Sequence, residues 1–233
     1  KRSKMCIMTP KQRAGEAAAA LIEDGMMVGL GTGSTTAYAI EALGKRVRTE
    51  GLHVQGVPTS FFAERLARQS GIPLISLDET AALDIAFDGA DEVDAAFNLI
   101  KGRGAAHTRE KVVAAQAKRF VVLVDESKMV EKLGLKMPLP IEVLPMALGP
   151  ITRVLEKLGA QPELRMGLRK DGPVVSDQGF WIVDARFPDG LPELEALNQS
   201  LLKMPGVLDH GLFLHMATDV LIGRQNGELT HLQ

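Results

Sequence analysis

Asp88-Gly89-Ala90-Asp91-Glu92-Val93-Asp94, then Lys101-Gly102-Arg103-Gly104, then Thr108-Arg109-Glu110-Lys111, follow the apolar run Leu83 to Phe87. Carboxylates beside lysines can exchange protons, and glycines let backbone N–H groups approach a ligand. The segment reads as a site that moves protons on a small anionic substrate. Asp88 and Asp91 follow a buried strand, which puts them at the carboxyl edge of a sheet, where open α/β sheets bind ligands. Two carboxylates close together raise one another's pKa, which poises one for proton exchange near neutral pH. Lys101-Gly102-Arg103-Gly104 has the make-up of an oxyanion-binding loop, a fixed cation plus accessible N–H groups. Glu110 falls in the opening turn of the next helix, where a carboxylate also serves simply to complement the helix dipole. Lys128, in Asp125-Glu126-Ser127-Lys128, reaches the same edge as a second cation for a phosphate.

Gly29-Leu30-Gly31-Thr32-Gly33-Ser34-Thr35-Thr36 sits between a strand and a helix, where unpaired N–H groups and the helix dipole favour an anion. Thr32, Ser34, Thr35 and Thr36 add hydroxyl donors, and a monophosphate is the natural guest. The dinucleotide fingerprint requires a final glycine where Ser34 or Thr36 stands, and a Walker loop requires a lysine that is missing here. A plain capped turn is the alternative for this motif alone. The histidines, His53, His107, His210, His215 and His231, lack metalloprotease spacing, while a carboxylate-only Mg²⁺ site stays open.

The elements that must position these groups alternate. Residues 11 to 23, with an Ala-rich face from Ala17 to Ile22, predict a helix closed near Gly25. Strands are expected at Met26 to Leu30, Val54 to Val57, Ile72 to Leu77, Leu83 to Phe87 and Phe120 to Val124. Helices are expected at Ala37 to Arg48, Phe61 to Ser70 and Ala105 to Lys118. This order implies a Rossmann-like α/β fold, an open parallel sheet covered on both faces. After Lys132 the order becomes β-α-β-β-α-β. Its strands are Ile141 to Leu144, Glu163 to Leu168, Val174 to Val175 with Phe180 to Ala185, and Val207 to Leu214; its helices are Ile151 to Leu158 and Pro192 to Leu202. That is the split unit of a second, smaller ferredoxin-like α+β domain. It carries no cluster of acids, bases and glycines, so it reads as structural or oligomerising. Ala217 to Ile222 and Leu229 to His231, around Asn226-Gly227, return as strand and hairpin. The expected division is a catalytic domain of 1–132 with 211–233, and a small domain of 133–210.

A chain of 233 residues can bury one large core, or a large and a small one. A net charge of -2 and 4% aromatic residues speak against nucleic-acid or acidic-membrane partners. No apolar stretch reaches the roughly 18 residues that a membrane span needs. Lys1 to Lys4 with Met5 to Met8 is too short for a signal-peptide core and reads as a leader, so a cytoplasmic setting is expected. Cys6, the single cysteine, excludes an internal disulfide and a Cys-rich zinc site.

From about Thr9 to the C-terminus the chain resembles the ribose-5-phosphate isomerase, type A, family. The matching motifs are GLGTGSTT at 29–36, DGADEVD at 88–94, KGRGAAHTREK at 101–111 and DESK at 125–128; PLPIEV at 138–143 and GLF at 211–213 match more loosely. The resemblance implies an aldose–ketose isomerase that interconverts D-ribose 5-phosphate and D-ribulose 5-phosphate through an enediolate. It implies no organic cofactor, no metal ligands, and a homodimer or homotetramer. By position it implies that Glu110 is the proton-transferring base, that Asp88 and Asp91 handle hydroxyl protons and ring opening, and that Lys101 stands beside the reacting carbonyl. Lys11, Thr32, Gly33, Ser34, Thr35, Gly89, Ala90, Gly102, Arg103, Gly104 and Lys128 are then the substrate-binding positions. Two residues depart from the family pattern. Arg103 replaces the middle of three glycines and either adds a cation or points outward. His107 replaces an apolar residue and is expected behind the site or at the surface. Two rival readings are a sugar-phosphate sensor and an amino-sugar phosphate deaminase. A sensor is expected to carry a DNA-binding module, for which the residues before Lys11 are too few.

Overall fold

The computed structural model describes residues 8–233. The basic leader and Cys6 lie outside these residues, Met8 excepted. α1 (Pro10–Ala20) starts at Thr9, whose hydroxyl accepts from the Gln12 N–H, with Pro10 pre-set for the first turn. β1 (Met27–Leu30), α2 (Ser34–Glu50), β2 (Gln55–Pro58), α3 (Phe61–Gln69) and β3 (Ile85–Gly89) follow. Two short strands, β4 (Glu92–Val93) and β5 (Leu99–Ile100), precede α4 (His107–Ala115) and β6 (Phe120–Asp125). The next run is β7 (Leu139–Val143), α5 (Leu148–Lys157), β8 (Gln161–Leu164), β9 (Trp181–Arg186), α6 (Leu194–Leu202) and β10 (Val207–His210). β11 (Leu212–Phe213), β12 (Asp219–Gly223) and β13 (Leu229–Leu232) close the chain.

β2, β1, β3, β6 and β12 form the expected parallel sheet, with β13 antiparallel at its edge. The central strands are apolar on both faces because helices cover both. Leu30, Phe87, Val121, Leu123 and Leu221 pack with α1, α2 and α3, while Ala86, Val122, Val124 and Ile222 pack with Val113 and Ala114 of α4. Register keeps the strand ends level: Leu30 pairs with Phe87, and Gly89 with Leu123. The chemistry-bearing turns after β1, β3 and β6 therefore meet at one edge. Gly15 brings α1 to that edge as well. A Cβ there would stand 2.8 Å from the Thr35 carbonyl oxygen, so only glycine lets α1 lie against the start of α2.

β7 to β10 form a second, antiparallel sheet in the order β10-β7-β9-β8, the arrangement of a ferredoxin-like layer. Leu139, Ile141, Val143, Val183 and Ala185 pack on α5 and α6. The alternate residues point the other way. Glu142 accepts from Thr108 of α4, and Asp184 holds Arg165, which reaches the lysine loop. A third sheet, in the order β11-β5-β4, joins two short strands inserted between β3 and β6 to one that follows β10, and delivers Lys101 directly after Ile100.

Three expectations need correction. Ile72 to Leu77 is no strand: Leu74 makes one isolated bridge to Gly56, and Leu77–Glu79 is a 3₁₀ turn, since Pro73 lacks the N–H that a ladder needs. Val174 to Val175 contributes only a bridge from Val175 to Trp181. Val207 to Leu214 splits at Gly211, with His210 pairing to Ile141 and Leu212 to Ile100, so the chain changes sheets there. Among the described residues no helix is long and apolar enough to cross a membrane.

Gly211 is the tightest part of that crossover. Its N–H donates to Pro140 at 2.7 Å, its carbonyl accepts from the Lys101 N–H at 2.8 Å, and an added Cβ would collide with the Lys101 carbonyl. Gly211→Ala is expected to destabilise the fold by about 1–3 kcal/mol, the usual cost of overpacking, measured by urea denaturation. An unchanged midpoint would contradict this packing.

Candidate active site

The strand ends enclose a cleft of about 120 Å³, which contains most of the residues expected at the site. Thr32, Gly33, Ser34 and Thr35 line one part; Gly89, Ala90 and Asp91 another; Lys101, Gly102, Arg103, Gly104 and Glu110 a third; Lys11, Asp125 and Lys128 complete it. Gly33 enters α2 at φ 121°, a left-handed conformation that favours glycine. The opening N–H groups of α2, which have no partner within the helix, thus lie at the cleft as a cradle, the local geometry that favours an anion. Lys11 Nζ stands 3.1 Å from Ser34 Oγ, adding a cation beside the cradle. Of the four hydroxyls expected to bind an anion, two are already used. Thr36 donates to the Gly33 carbonyl at 2.9 Å, and Thr32 is held by Ser60 at 2.6 Å and Thr59 at 2.9 Å.

Behind this cradle lies a buried charge cluster. Asp88 Oδ1 accepts from the Thr32 N–H at 2.9 Å and the Gly89 N–H at 2.7 Å. Gly31 makes room for it, since a Cβ there would stand 2.6 Å from Asp88 Cγ. Asp88 Oδ2 faces Lys101 Nζ at 3.2 Å, and Glu110 Oε2 faces the same ammonium at 3.1 Å. Lys101 also donates to the Gly89 carbonyl, and Phe213 covers it at 5.5 Å from Nζ to ring centroid. Neither facing oxygen has a well-aligned donor within the protein. The contacts are close, buried charge pairs.

Burial decides the protonation here. It pushes Glu110 up to about 8, against the attraction of Lys101 and with help from Asp88. The opening turn of a helix would by itself lower a carboxyl, but desolvation outweighs it. Burial likewise raises Asp88, opposed by Lys101 and the two backbone donors. For Lys101, burial works against the charge, yet Asp88 and Glu110 outweigh it and raise the ammonium's pKa. One buried cation cannot balance two buried anions, so the acid pair retains a proton near neutral pH.

The expected pairing of Asp88 with Asp91 is corrected. Asp88 partners Glu110 across Lys101, and Asp91 faces Arg103, accepting its N–H at 3.0 Å. Asp88 is not part of the cleft lining; Gly89 to Asp91 are. Arg103 points outward, its side chain 73% exposed and its Nε 3.7 Å from Asp91. His107 is fully buried behind the loop rather than at the surface, and a Cβ on Gly102 would meet its ring at 2.7 Å. Burial lowers its pKa to about 3, so it is neutral. Sequence reasoning missed Asp125 as cleft lining, and it missed Thr59 and Ser60, which hold Thr32. The Pro58-Thr59-Ser60 break after β2 was the available signal for the latter pair.

The model of the family "Ribose 5-phosphate isomerase A (phosphoriboisomerase A)" matches residues 55–227. The chain belongs to this family. A ribose-5-phosphate isomerase A of Thermosynechococcus vestitus is 55% identical over 214 residues, covering 91% of this chain and 90% of the relative. The ribose 5-phosphate isomerase A structure from Methanocaldococcus jannaschii superposes with a TM-score of 0.91 at 46% identity, covering 96% of this chain and 97% of that one. A D-ribose-5-phosphate isomerase solved in complex with phospho-erythronic acid gives a TM-score of 0.93 at 46% identity, covering 97% and 100%. These isomerases share the whole architecture described above.

A raised carboxyl pKa has a definite sign for stability. Between the ordinary value of 4.5 and about 8, folded Glu110 holds a proton that its unfolded form has lost, so wild-type stability falls as pH rises through that window. Glu110→Gln never ionises. Its melting temperature is expected to gain on wild type from pH 5 to pH 9, measured by calorimetry; a gap independent of pH would contradict the shift.

Proposed function

We propose that the chain interconverts D-ribose 5-phosphate and D-ribulose 5-phosphate, with Glu110 moving the proton between C2 and C1. The supporting observation is Lys101 buried between Asp88 and Glu110 at one part of a cleft that also carries Lys11, Lys128 and the start of α2. The substrate phosphate fits the cradle of Gly33, Ser34 and Thr35 with its two lysines. That leaves the sugar carbons to reach Glu110. Phospho-erythronic acid, bound by the related isomerase, carries a planar pair of oxygens on a phosphorylated carbon chain, as an enediolate does.

In this mechanism the ionised Glu110 takes the C2 proton of the open-chain sugar. A carboxylate raised to about 8 is a much stronger base than an exposed one, and desolvation is the cause. Charge then builds on oxygen, where Lys101 and the loop N–H groups stabilise it. Asp91 at the cleft wall handles hydroxyl protons and ring opening, while Asp88, buried behind the wall, acts through Lys101, which it holds charged beside the reacting carbonyl. Glu110 returns its proton to C1. The residues invoked supply acid, base and oxyanion stabilisation without an organic cofactor.

Conversion of ribose 5-phosphate to ketose separates this reading from a sensor, which binds without turnover, and from a deaminase, which needs an amino sugar. Glu110→Gln is expected to lose about 10²–10⁴-fold in kcat while remaining folded, as general bases do. Near-wild-type turnover would remove Glu110 from its role.

The same proposal takes 133–210 as the smaller unit and makes it the contact in a homodimer or homotetramer. Met146 just before α5, Val154 within it, Leu158 at its end, and Leu202 of α6 leave apolar surface exposed there. Light scattering at micromolar concentration is expected to give a multiple of the chain mass; a monomer would contradict it. A cytoplasmic setting, where sugar phosphates occur, belongs to this proposal too.

A further inference from the structure

The second layer reaches into the active-site loop through one side chain. Arg165, just after β8, donates through Nη1 to the carbonyls of Gly102 and of Arg103, each at 3.0 Å. Its Nε and Nη2 grip Asp184 of β9 as a fork, the Nε contact being 2.7 Å. The pair is largely buried, its side chains 16% and 21% exposed. Two loop carbonyls are thus fixed from behind by a guanidinium that is itself fixed.

We propose that Arg165 is a positioning residue of the isomerisation, aiming the Gly104 N–H of the lysine loop at the reacting oxygen. The inference rests on the oxyanion role given to that loop above. A trans peptide is planar, so a pinned carbonyl sends the next residue's N–H in the opposite direction. With the Gly102 carbonyl turned to Arg165, the Arg103 N–H points away and meets Asp91 at 3.0 Å. With the Arg103 carbonyl turned the same way, the Gly104 N–H points to the cleft that Gly104 lines. Gly102, at φ 106°, permits this turn, and His107 fills the space behind it. Three donors on one plane reach Asp184 and both carbonyls together, which a lysine cannot do.

The clamp touches no part of the phosphate cradle, which yields a specific signature. Arg165→Lys keeps a charge but loses the fork, and Asp184→Asn keeps the shape but frees the guanidinium. Both are expected to lower kcat at least about 10-fold, short of the ~10²–10³-fold seen when an oxyanion donor is removed outright, with KM changed less than about 3-fold. Melting temperature should stay within a few degrees of wild type. Asp184→Asn decides the matter if Arg165→Lys does not fold. Unchanged kcat in the folded variants, or a joint loss of kcat, KM and melting temperature, overturns the proposal. Wild-type turnover of ribose 5-phosphate is measured first; its absence would reject the activity and with it the positioning role, whereas turnover in wild type with unchanged kcat in the variants rejects the positioning role alone.

Discussion

A buried ammonium held between two buried carboxylates is the interaction on which this structure depends. Lys101 lies 3.2 Å from Asp88 and 3.1 Å from Glu110, and all three side chains are at most 5% exposed. Such a cluster costs several kcal/mol per ion to desolvate, and it persists only where surrounding groups complete its contacts. Here the Gly89 carbonyl, the Thr32 and Gly89 N–H groups and the Phe213 ring do so. Removing water also makes the charges act strongly on whatever enters the cleft. The same burial that threatens stability gives Glu110 its basicity.

The architecture supplies each contact from a different element. β3 delivers Asp88, β5 delivers Lys101, α4 delivers Glu110, and β11 brings Phe213, while the turn after β1 caps Asp88. None of these elements is adjacent to all the others in sequence. Level parallel strand ends make them meet, and the crossover at Gly211 joins the second layer to the same point. That layer is more than a scaffold added to a finished site. Its polar face carries Glu142 and Asp184, which bear on α4 and the lysine loop, while its apolar face packs on its own helices.

The alternation of apolar runs and helices made the parallel sheet and the split β-α-β-β-α-β layer legible, because both depend on local periodicity. Short or interrupted strands were not legible. β4 and β5 have two residues each, too few for any period, and the run through Gly211 looks continuous although its partner changes. Among the acids, composition could not tell which are used for structure. Glu92, inside the same motif as Asp88, is fully buried and accepts N–H groups of Gly134, Lys136 and Met137, while Asp94 accepts those of Ala96 and Asn98. By its helix position Glu110 is a dipole residue, and the resemblance alone singles it out; its burial supplies the physical reason for a raised pKa. Arg165 lies 62 positions from Arg103 and carries no motif, so only the three-dimensional arrangement brings it to light.

Burial beside Asp88 and Lys101 raises Glu110 to about 8, so this carboxyl retains its proton near neutral pH. Carbon-13 NMR titration of side-chain-labelled glutamate, with Glu110→Gln to assign the resonance, measures this directly. One glutamate carboxyl is expected to titrate near pH 8 in wild type and to be absent from the variant. Finding every glutamate titrating in the ordinary carboxyl range would contradict it.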